Sequence, residues 1–539
     1  AQAVLASSRR DLSLLLASPQ RTQMATAAKA VAALCLFGAS GHAGALELPT
    51  FLASDMVLPR APASAKVWGT ARPGATVRVS LAELGAPKSA VAAADGAWSV
   101  QLDPQEAGLG HSLTIADGEE SRVLTNIAFG DLWLCSGQSN MEFSVNQAFL
   151  GKEYISHSAN RRIRLATIAK TTADEPQLNA SSKASYVWSE SKPEAFGPVG
   201  KMAFSYFSAT CYFFGLELFS RLGGSVPLGL VASDWGGQRV EAFSSPDALN
   251  DKTCGGTKVP SDVLRGNAQD ELTSSAGPGP SQLWNAMITP LVNFTFSGVV
   301  WYQGEANAGD PQSYACRFPA MIADWRRKFN QPDLPFLFVL LAAFFSDYSE
   351  IRNAQMAALQ LPHTGYATAT DLGDPTSPAG AIHPRRKFEV GRRLALAALH
   401  MLYGKANKGV GPEFKAVRRE ANGDLLVDYK EGTADGLHSE PTAGCDEFGK
   451  KLCCDESPFE VEVNGTWSRV NLWVLSGPTT VELWGKFANA TALRFNWEGY
   501  PQCTLYNGMG KADDHTGIAA TPFKVQLPKP HSEPVEILV

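Results

Sequence analysis

The middle of the chain alternates short apolar runs with longer stretches in which apolar residues recur every three or four positions. The short runs predict buried strands over Asp131–Cys135, Val226–Ala232, Gly298–Tyr302 and Pro335–Leu341. The longer stretches predict helices over Tyr206–Leu222, Gln312–Phe329 and Ile351–Leu361. Strands that alternate with helices predict an α/β fold, in which a parallel sheet has helices on both faces.

Both flanks of this region have a β pattern instead. Residues 46–125 contain short strand-like runs separated by Pro-Gly and Asp-Gly turns, a pattern typical of a small β-sandwich. After residue 404 the strand candidates are Leu425–Tyr429, Val461–Val463, Thr479–Trp484 and Ala492–Trp497. The pattern therefore predicts an N-terminal β domain over 46–125, an α/β domain over 126–404 and a C-terminal β domain over 405–539.

Residues 1–45 are predicted to be an upstream segment followed by a signal peptide. From Met24, Lys29 provides a positive charge, Ala30–Ser40 an apolar stretch, and the residues up to Ala45 a small-residue cleavage region. The apolar stretch is too short to span a bilayer, so we expect no membrane span. A buried helix of the mature protein is the alternative. A signal peptide predicts secretion, or delivery to a lysosomal or other endomembrane lumen.

Charge and cysteine content narrow the classes of function. The formal net charge is -6 and no basic run is present, which argues against nucleic acid as a partner. Eight of the nine cysteines follow the predicted signal peptide, and an even number in an oxidising compartment predicts disulfides. Their spacing lacks the histidines of a zinc site, so no metal is expected. Glycosylation sequons begin at Asn179, Asn293, Asn464 and Asn489.

The loop after Cys135 contains a candidate nucleophile, Ser139. A serine at a turn from strand to helix exposes its hydroxyl above the sheet, beside the free N–H groups of the helix N-terminus. Such donors stabilise a developing oxyanion. An ordinary helix cap is the alternative interpretation of this serine.

Two further loops carry hydrogen-bond donors after predicted strands. Gly237 lies in a glycine pair, where backbone N–H groups can closely approach a ligand. Gln303 and Asn307 have amide side chains that can donate to an oxyanion, and Glu305 between them could position a residue or bind substrate. Plain turns and caps are the alternatives.

The fourth loop supplies a candidate base, His383, ahead of a helix predicted over Arg385–Tyr403. The positive end of a helix dipole disfavours the charged imidazole, so this histidine is suited to accept a proton. Asp371 and Asp374 lie upstream in the same loop. Together the four loops hold a nucleophile, a base with a candidate carboxylate and oxyanion donors, the set required for acyl transfer.

Several co-ordered motifs carry a resemblance that covers nearly all of the chain after residue 45. They are GDLWLCSGQSNMEF, SDWGGQRVEAF, LWNAMITPL followed by VVWYQGEANA, and DLGD…IHPRRKFEVGRRLA. The first of the flanking segments, LASDMVLPR…VWG…PG, and the last, LYNGMG…ATPFKV, match as well. This combination resembles the sialate O-acetylesterase family of SGNH-type hydrolases. The resemblance implies an SGNH-like parallel-sheet core flanked by N-terminal and C-terminal β-sandwich domains.

The resemblance also implies roles for the residues. Ser139 would be the nucleophile and His383 the base, and the Gly237 N–H with the Gln303 or Asn307 side chain would form the oxyanion hole. Many SGNH enzymes place an aspartate three residues before the histidine, but that position here is Gly380. Asp374, which we favour over Asp371, or a backbone carbonyl would then orient the histidine.

The resemblance implies removal of O-acetyl groups from sialic acids through an acetyl-serine intermediate, with no metal or organic cofactor. Arg239 is a candidate contact for a sialic-acid carboxylate, with a surface arginine as the alternative. An esterase for acetylated xylan or another polysaccharide is the second hypothesis. A carbohydrate-binding protein without catalysis is the third.

Overall fold

The structure is a computed structural model that describes most of the chain after residue 43. The described ranges are 44–82, 84–181, 186–197, 204, 207–254, 277–404, 409–448, 454, 456–508, 517–527 and 535–536. The predicted upstream segment and signal peptide therefore lie almost wholly outside the described residues. The described residues form one compact unit.

The first part of the described chain is built of strands. They are β1 (Val57–Pro59), β2 (Lys66–Thr70), β3 (Thr76–Leu81), β4 (Leu84–Val91), β5 (Ala97–Gln101), β6 (Gly108–Ala116) and β7 (Ser121–Gly137). β3 pairs with β4 and β6, and β6 pairs with β7, all antiparallel. β2 and β5 form a separate two-stranded sheet. Alternate residues of β3 are buried, which is the reason that this polar-apolar pattern forms a strand.

The middle part alternates helices with strands, as the hydrophobic pattern predicts. Its elements are α1 (Ser139–Glu142), α2 (Gly151–Ser156), β8 (Asn160–Thr167), β9 (Tyr186–Ser191), α3 (Ala209–Arg221), β10 (Leu228–Asp234), α4 (Val240–Phe243), α5 (Pro246–Leu249), β11 (Gly298–Tyr302), α6 (Pro311–Lys328), β12 (Phe336–Leu340), α7 (Ser349–Met356), β13 (Thr364–Thr368) and α8 (Lys387–Tyr403). Short 3-10 or π turns occur at Val145–Gln147, Pro193–Phe196, Lys252–Cys254, Trp284–Ile288, Thr289–Leu291, Glu305–Asn307 and Ala357–Gln360.

These strands form a mixed sheet in the order β13-β12-β11-β7-β10-β8-β9. All neighbours are parallel except β9, which is antiparallel to β8. Every residue of β10, β11 and β12 is buried, which is typical of a sheet covered on both faces. The register places Gly137 beside Asp234 on one side and beside Tyr302 on the other. The loops that follow β7, β10 and β11 therefore leave the sheet at adjacent points of one edge.

β7 joins the N-terminal strands to this sheet. Its first half pairs with β6, and its second half, from Asp131, pairs with β10 and β11. The boundary predicted between residues 125 and 126 thus lies inside one continuous strand. Buried apolar residues from both sides of that position belong to the same cluster, which extends from Leu46 to Leu399 and includes Ile518.

The last part of the chain forms antiparallel sheets. Its strands are β14 (Phe414–Arg419), β15 (Leu425–Tyr429), β16 (His438–Pro441), β17 (Phe459–Val463), β18 (Thr466–Arg469), β19 (Leu472–Leu475), β20 (Thr480–Trp484), β21 (Ala490–Phe495), β22 (Cys503–Tyr506), β23 (Phe523–Gln526) and β24 (Val535–Glu536), with 3-10 turns at Cys445–Phe448 and Phe487–Asn489. They are ordered β19-β20-β15-β14-β24, β18-β17-β21-β23 and β16-β22. A second apolar cluster, from Phe414 to Leu527, is formed mostly by residues of these strands.

Disulfides are present, as the cysteine count predicts. The described pairs are Cys135–Cys211, Cys254–Cys316 and Cys454–Cys503. The first joins the end of β7 to α3, close to the candidate nucleophile. Within the described ranges, no helix combines the length and apolar character needed to cross a membrane.

Candidate active site

The turn that presents Ser139 is possible because residue 137 is a glycine. Gly137 has a φ of +141°, and an added Cβ would lie 2.2 Å from the carbonyl oxygen of Tyr302. The next residue, Gln138, donates its backbone N–H to that same oxygen at 3.0 Å. The chain therefore turns sharply at the sheet edge, and Ser139 begins α1 with 9% of its surface exposed.

Ser139 and His383 meet directly, although they are 244 residues apart in the chain. The Ser139 Oγ lies 2.8 Å from the His383 Nε2, and the His383 Nδ1 lies 2.7 Å from the carbonyl oxygen of Ala379. A carbonyl oxygen only accepts hydrogen bonds, so Nδ1 carries the proton of the neutral ring. Nε2 then carries no proton and can accept that of the serine, which is the arrangement of a general base.

The loop that carries His383 is held by its own hydrogen bonds. The Ser377 hydroxyl donates to the His383 carbonyl oxygen at 2.6 Å, and the His383 N–H donates to the Gly380 carbonyl oxygen at 2.8 Å. The ring of Phe204 packs edge-on against the imidazole, with 5.0 Å between ring centroids. The segment between Asp374 and His383 thus forms a folded turn that supplies the Ala379 carbonyl.

Both candidate carboxylates pair with arginines. Asp374 is bound by Arg385 at 2.6 and 2.8 Å, and these bonds lower its pKa although burial alone would raise it. Asp371 is bound by Arg393 at 2.6 and 2.8 Å. Cations just before α8 and within it therefore bind both carboxylates, and the orientation of His383 by Asp374 stays a prediction.

The glycine pair after β10 lies against Ser139. A Cβ added to Gly236 would lie 3.2 Å from the Ser139 Cβ, closer than most Cβ contacts, so the backbone passes tightly against Ser139. The Gly236 N–H donates to Glu142 Oε2 at 2.6 Å. Gly237 is exposed, and its N–H has no hydrogen-bond acceptor among the described residues. The Gly237 N–H can therefore reach a ligand, and its place in the oxyanion hole stays a prediction.

The two amide side chains predicted for the oxyanion hole are engaged in the interior instead. Gln303 Nε2 donates to Asn307 Oδ1 at 2.7 Å and to the Gln238 carbonyl oxygen at 3.2 Å. Asn307 Nδ2 donates to Glu241 Oε2 at 3.0 Å, and both amide residues are buried. These contacts hold the backbone of the loop after Gly237, and a role for either amide in the oxyanion hole stays a prediction.

The two predicted substrate contacts are also occupied within the protein. Arg239 is close to Glu241, at 3.4 Å, and donates to the Ala306 carbonyl oxygen at 3.2 Å. The Glu305 carboxylate is buried, and its Oε1 accepts from Asn140 Nδ2 at 2.6 Å. Both side chains thus have internal partners, but Glu305 Oε2 has no hydrogen-bond partner among the described residues. The contact of either side chain with substrate stays a prediction.

A buried acidic pair beside Ser139 was not predicted. Glu142, in the same short helix as Ser139, forms an ion pair with Lys170, and Asp234 ends the neighbouring strand. Burial, and then the charge of Glu142, raise the pKa of Asp234 to about 8, while Lys170 opposes the shift. The sequence places Asp234 directly before the glycine pair, but nothing in the pattern indicates that Glu142 and Lys170 meet it.

Asn140 and Lys387 are the other residues of the site that sequence reasoning missed. Asn140 follows Ser139, and Lys387 is the first residue of α8. Lys387 Nζ donates to Asn140 Oδ1 at 2.6 Å. The only available signal was their place within the motifs around Ser139 and His383.

Comparison with known proteins decides the family. Residues 129–400 match the model of a family described as carbohydrate esterase, sialic acid-specific acetylesterase. The chain belongs to this family. The matched segment begins in β7 and ends in α8, so this esterase family region includes all four loops of the site.

Individual relatives of this esterase extend the match. A sialate O-acetylesterase of Mus musculus is 33% identical over 89% of this chain and 94% of the relative. One of Homo sapiens is 36% identical over 66% of this chain and 71% of the relative. The crystal structure of a carbohydrate acetylesterase from Xanthomonas citri covers 89% of this chain and 99% of that chain, with a TM-score of 0.73 and 28% identity.

Proposed function

We propose that this protein hydrolyses O-acetyl esters of sialic acids, with Ser139 as the nucleophile and His383 as the general base. The observation that carries the proposal is the 2.8 Å contact between Ser139 Oγ and the unprotonated Nε2 of His383. The family, and relatives named sialate O-acetylesterase, support the sialic-acid substrate.

The reaction has two acyl-transfer steps. Ser139 Oγ attacks the acetyl carbonyl carbon while His383 Nε2 takes the serine proton, and the backbone N–H groups of Ser139 and Gly237 donate to the oxyanion. The tetrahedral intermediate collapses to acetyl-Ser139, and the protonated His383 gives its proton to the departing sugar oxygen. Water, deprotonated by His383, then attacks the acetyl group and releases acetate and the free serine.

The carbonyl oxygen of Ala379, rather than a carboxylate, is proposed to orient His383. We therefore expect Asp374→Asn to lower kcat by less than about tenfold, whereas the loss of an orienting carboxylate costs about 10⁴-fold in a serine triad. The measurement is steady-state hydrolysis of a soluble acetate ester. The matched control is Asp428→Asn, which removes the carboxylate from a similar two-bond pair with Arg418 in the C-terminal part. A loss of kcat near 10⁴-fold in Asp374→Asn but not in Asp428→Asn would instead support Asp374 as the residue that orients His383.

A different acetylated carbohydrate is the second candidate substrate. The structure from Xanthomonas citri is that of a carbohydrate acetylesterase, a broader class than sialic-acid esters.

Acetate release from O-acetylated N-acetylneuraminic acid and from acetylated xylan separates the two candidates. We expect kcat/KM for the sialic acid to exceed that for xylan by at least about tenfold. A preference for xylan would support the polysaccharide alternative. No acetate from either substrate, with a folded protein, would favour a non-catalytic carbohydrate-binding role.

The wider architecture and the compartment complete the proposal. Residues 126–404 would form an SGNH-like core, 46–125 an N-terminal β-sandwich that shares its apolar cluster, and 405–539 a C-terminal β-sandwich around its own cluster. The described disulfides support an oxidising compartment, in which the protein would be secreted or lie in a lysosomal or endomembrane lumen.

A further inference from the structure

We propose that Asn140, Glu305 and Lys387 are positioning residues that hold Ser139 and His383 in register for acyl transfer. This inference rests on the proposed function, since it assigns a role within the same site. The three residues come from three separate segments: α1, the turn after β11 and the start of α8. We refer to them below as the Asn140 network.

Asn140 connects the two reacting residues through their chain neighbours. It directly follows Ser139, and its Nδ2 donates at 2.9 Å to the carbonyl oxygen of Ile382, which directly precedes His383. The Asn140 carbonyl oxygen also accepts from the Thr210 hydroxyl at 3.1 Å, which fixes the backbone of the turn. One side chain therefore spans the gap between the nucleophile turn and the histidine loop.

The rest of the network sets the orientation of the Asn140 amide. Its Nδ2 has two hydrogens, which go to Ile382 and to Glu305 Oε1 at 2.6 Å, and its Oδ1 accepts from Lys387 Nζ at 2.6 Å. Lys387 can only donate, while a carbonyl and a carboxylate oxygen without a proton can only accept. If the amide were flipped, or if Asn140 were replaced by aspartate, an oxygen would face the Ile382 carbonyl oxygen and Glu305 Oε1. Both contacts would then join two acceptors.

Lys387 occupies a position that is unfavourable for a cation. It is 1% exposed, so burial lowers the pKa of its ammonium group, to about 7. It is also the first residue of α8, where the positive end of the helix dipole repels a cation. The rings of Phe143 and Tyr302, at 5.0 and 5.3 Å, and the nearby Glu305 carboxylate offset these costs. An amino group buried in such a position and bonded to Asn140 argues for a specific task.

That task is to keep Ser139 Oγ and His383 Nε2 at their 2.8 Å separation. Catalysis by a nucleophile and base depends on near-attack geometry, and a displacement of about 1 Å can cost about 100-fold in rate. The Asn140 network contacts the neighbours of both residues but neither reacting atom. Its loss should therefore reduce the chemical step and leave substrate binding nearly unchanged.

The test uses Asn140→Asp, which keeps the size of the side chain. We expect kcat for a soluble acetate ester to fall by about 10- to 100-fold, with KM changed by less than about threefold. The rate at which a neutral fluorophosphonate labels Ser139 should fall by a similar factor. Glu305→Gln keeps an oxygen acceptor for Asn140, so it should retain more activity than Asn140→Asp, whereas Lys387→Met should lose activity.

Asn285→Asp is the matched control. Asn285 is also buried, and its Nδ2 donates to two carbonyl oxygens, at 2.8 and 3.1 Å, but it contacts neither Ser139 nor His383. It should lower thermal stability without changing kcat or labelling. A folded Asn140→Asp variant with wild-type kcat and labelling would overturn the inference. If Asn140→Asp does not fold, the inference would be overturned by wild-type kcat and wild-type labelling rates in both Lys387→Met and Glu305→Gln.

The Ser139→Ala variant separates this inference from the proposed function. Activity that survives in Ser139→Ala would remove the proposed mechanism. Loss of activity in Ser139→Ala together with a fully active Asn140→Asp variant would remove only the positioning role.

Discussion

Replacement of Ser139 by alanine is expected to lower kcat for acetate-ester hydrolysis by at least about 10⁴-fold. The hydroxyl is the proposed point of covalent attachment, and alanine leaves His383 with no nucleophile to deprotonate. Ser139 is 9% exposed and its oxygen bonds to the His383 side chain rather than to a strand or helix backbone, so the fold should survive. The measurement is acetate release by the purified variant, together with its thermal unfolding curve.

Ser191→Ala is the control for this replacement. The Ser191 hydroxyl is also buried and donates to the Ser158 carbonyl oxygen at 2.7 Å, in the edge strand β9. Its loss should cost about 1 kcal/mol of stability and leave kcat unchanged. A folded Ser139→Ala variant that keeps more than a few per cent of wild-type activity would contradict the assignment of the nucleophile.

Replacement of Asp234 by asparagine is expected to change how stability depends on pH. The native pKa of about 8 is far above the ordinary value of 3.8, so between these values the folded protein holds a proton that the unfolded chain releases. The stabilisation from this proton is complete below about pH 4 and is lost as pH rises through 8. One pKa unit corresponds to about 1.4 kcal/mol, so even half of this shift makes a difference of about 3 kcal/mol.

Thermal unfolding of wild type and Asp234→Asn between pH 4 and 9 measures this effect. The variant should gain stability relative to wild type as pH rises through this range, because its amide cannot lose a proton. Asp247→Asn is the control, since Asp247 is exposed and pairs with Lys328 at the surface. A difference in Tm between wild type and Asp234→Asn that stays constant across the range would contradict the raised pKa.

The strands of the sheet were predictable because a strand buried on both faces is a nearly continuous run of apolar residues. The predicted strand Gly298–Tyr302 is observed without change. The helix predicted from Tyr206 begins instead at Ala209, because the Ser208 side chain caps it by accepting from the Cys211 N–H. Helix ends depend on such single contacts, and the spacing of apolar residues gives no information about them.

The pairing of Ser139 with His383 followed from motifs in a fixed order, but the partners of the polar groups did not. Asp374 pairs with Arg385, and Gln303 pairs with Asn307, although the sequence offered these residues for other roles. A carboxylate or amide takes whichever opposite charge or donor the fold brings within 3 Å. Candidate residue types were therefore predictable, whereas their partners were not.

The sequence by itself determined the alternating elements, the disulfide-forming character and the four loops at which chemistry would occur. Apolar periodicity and residue type are local properties, so they can be obtained from the chain alone. Only the tertiary structure decided that the Ala379 carbonyl contacts His383 and that Asn140 connects Glu305 to Lys387. Such contacts join segments far apart in the chain, and their geometry depends on how the strands and helices pack.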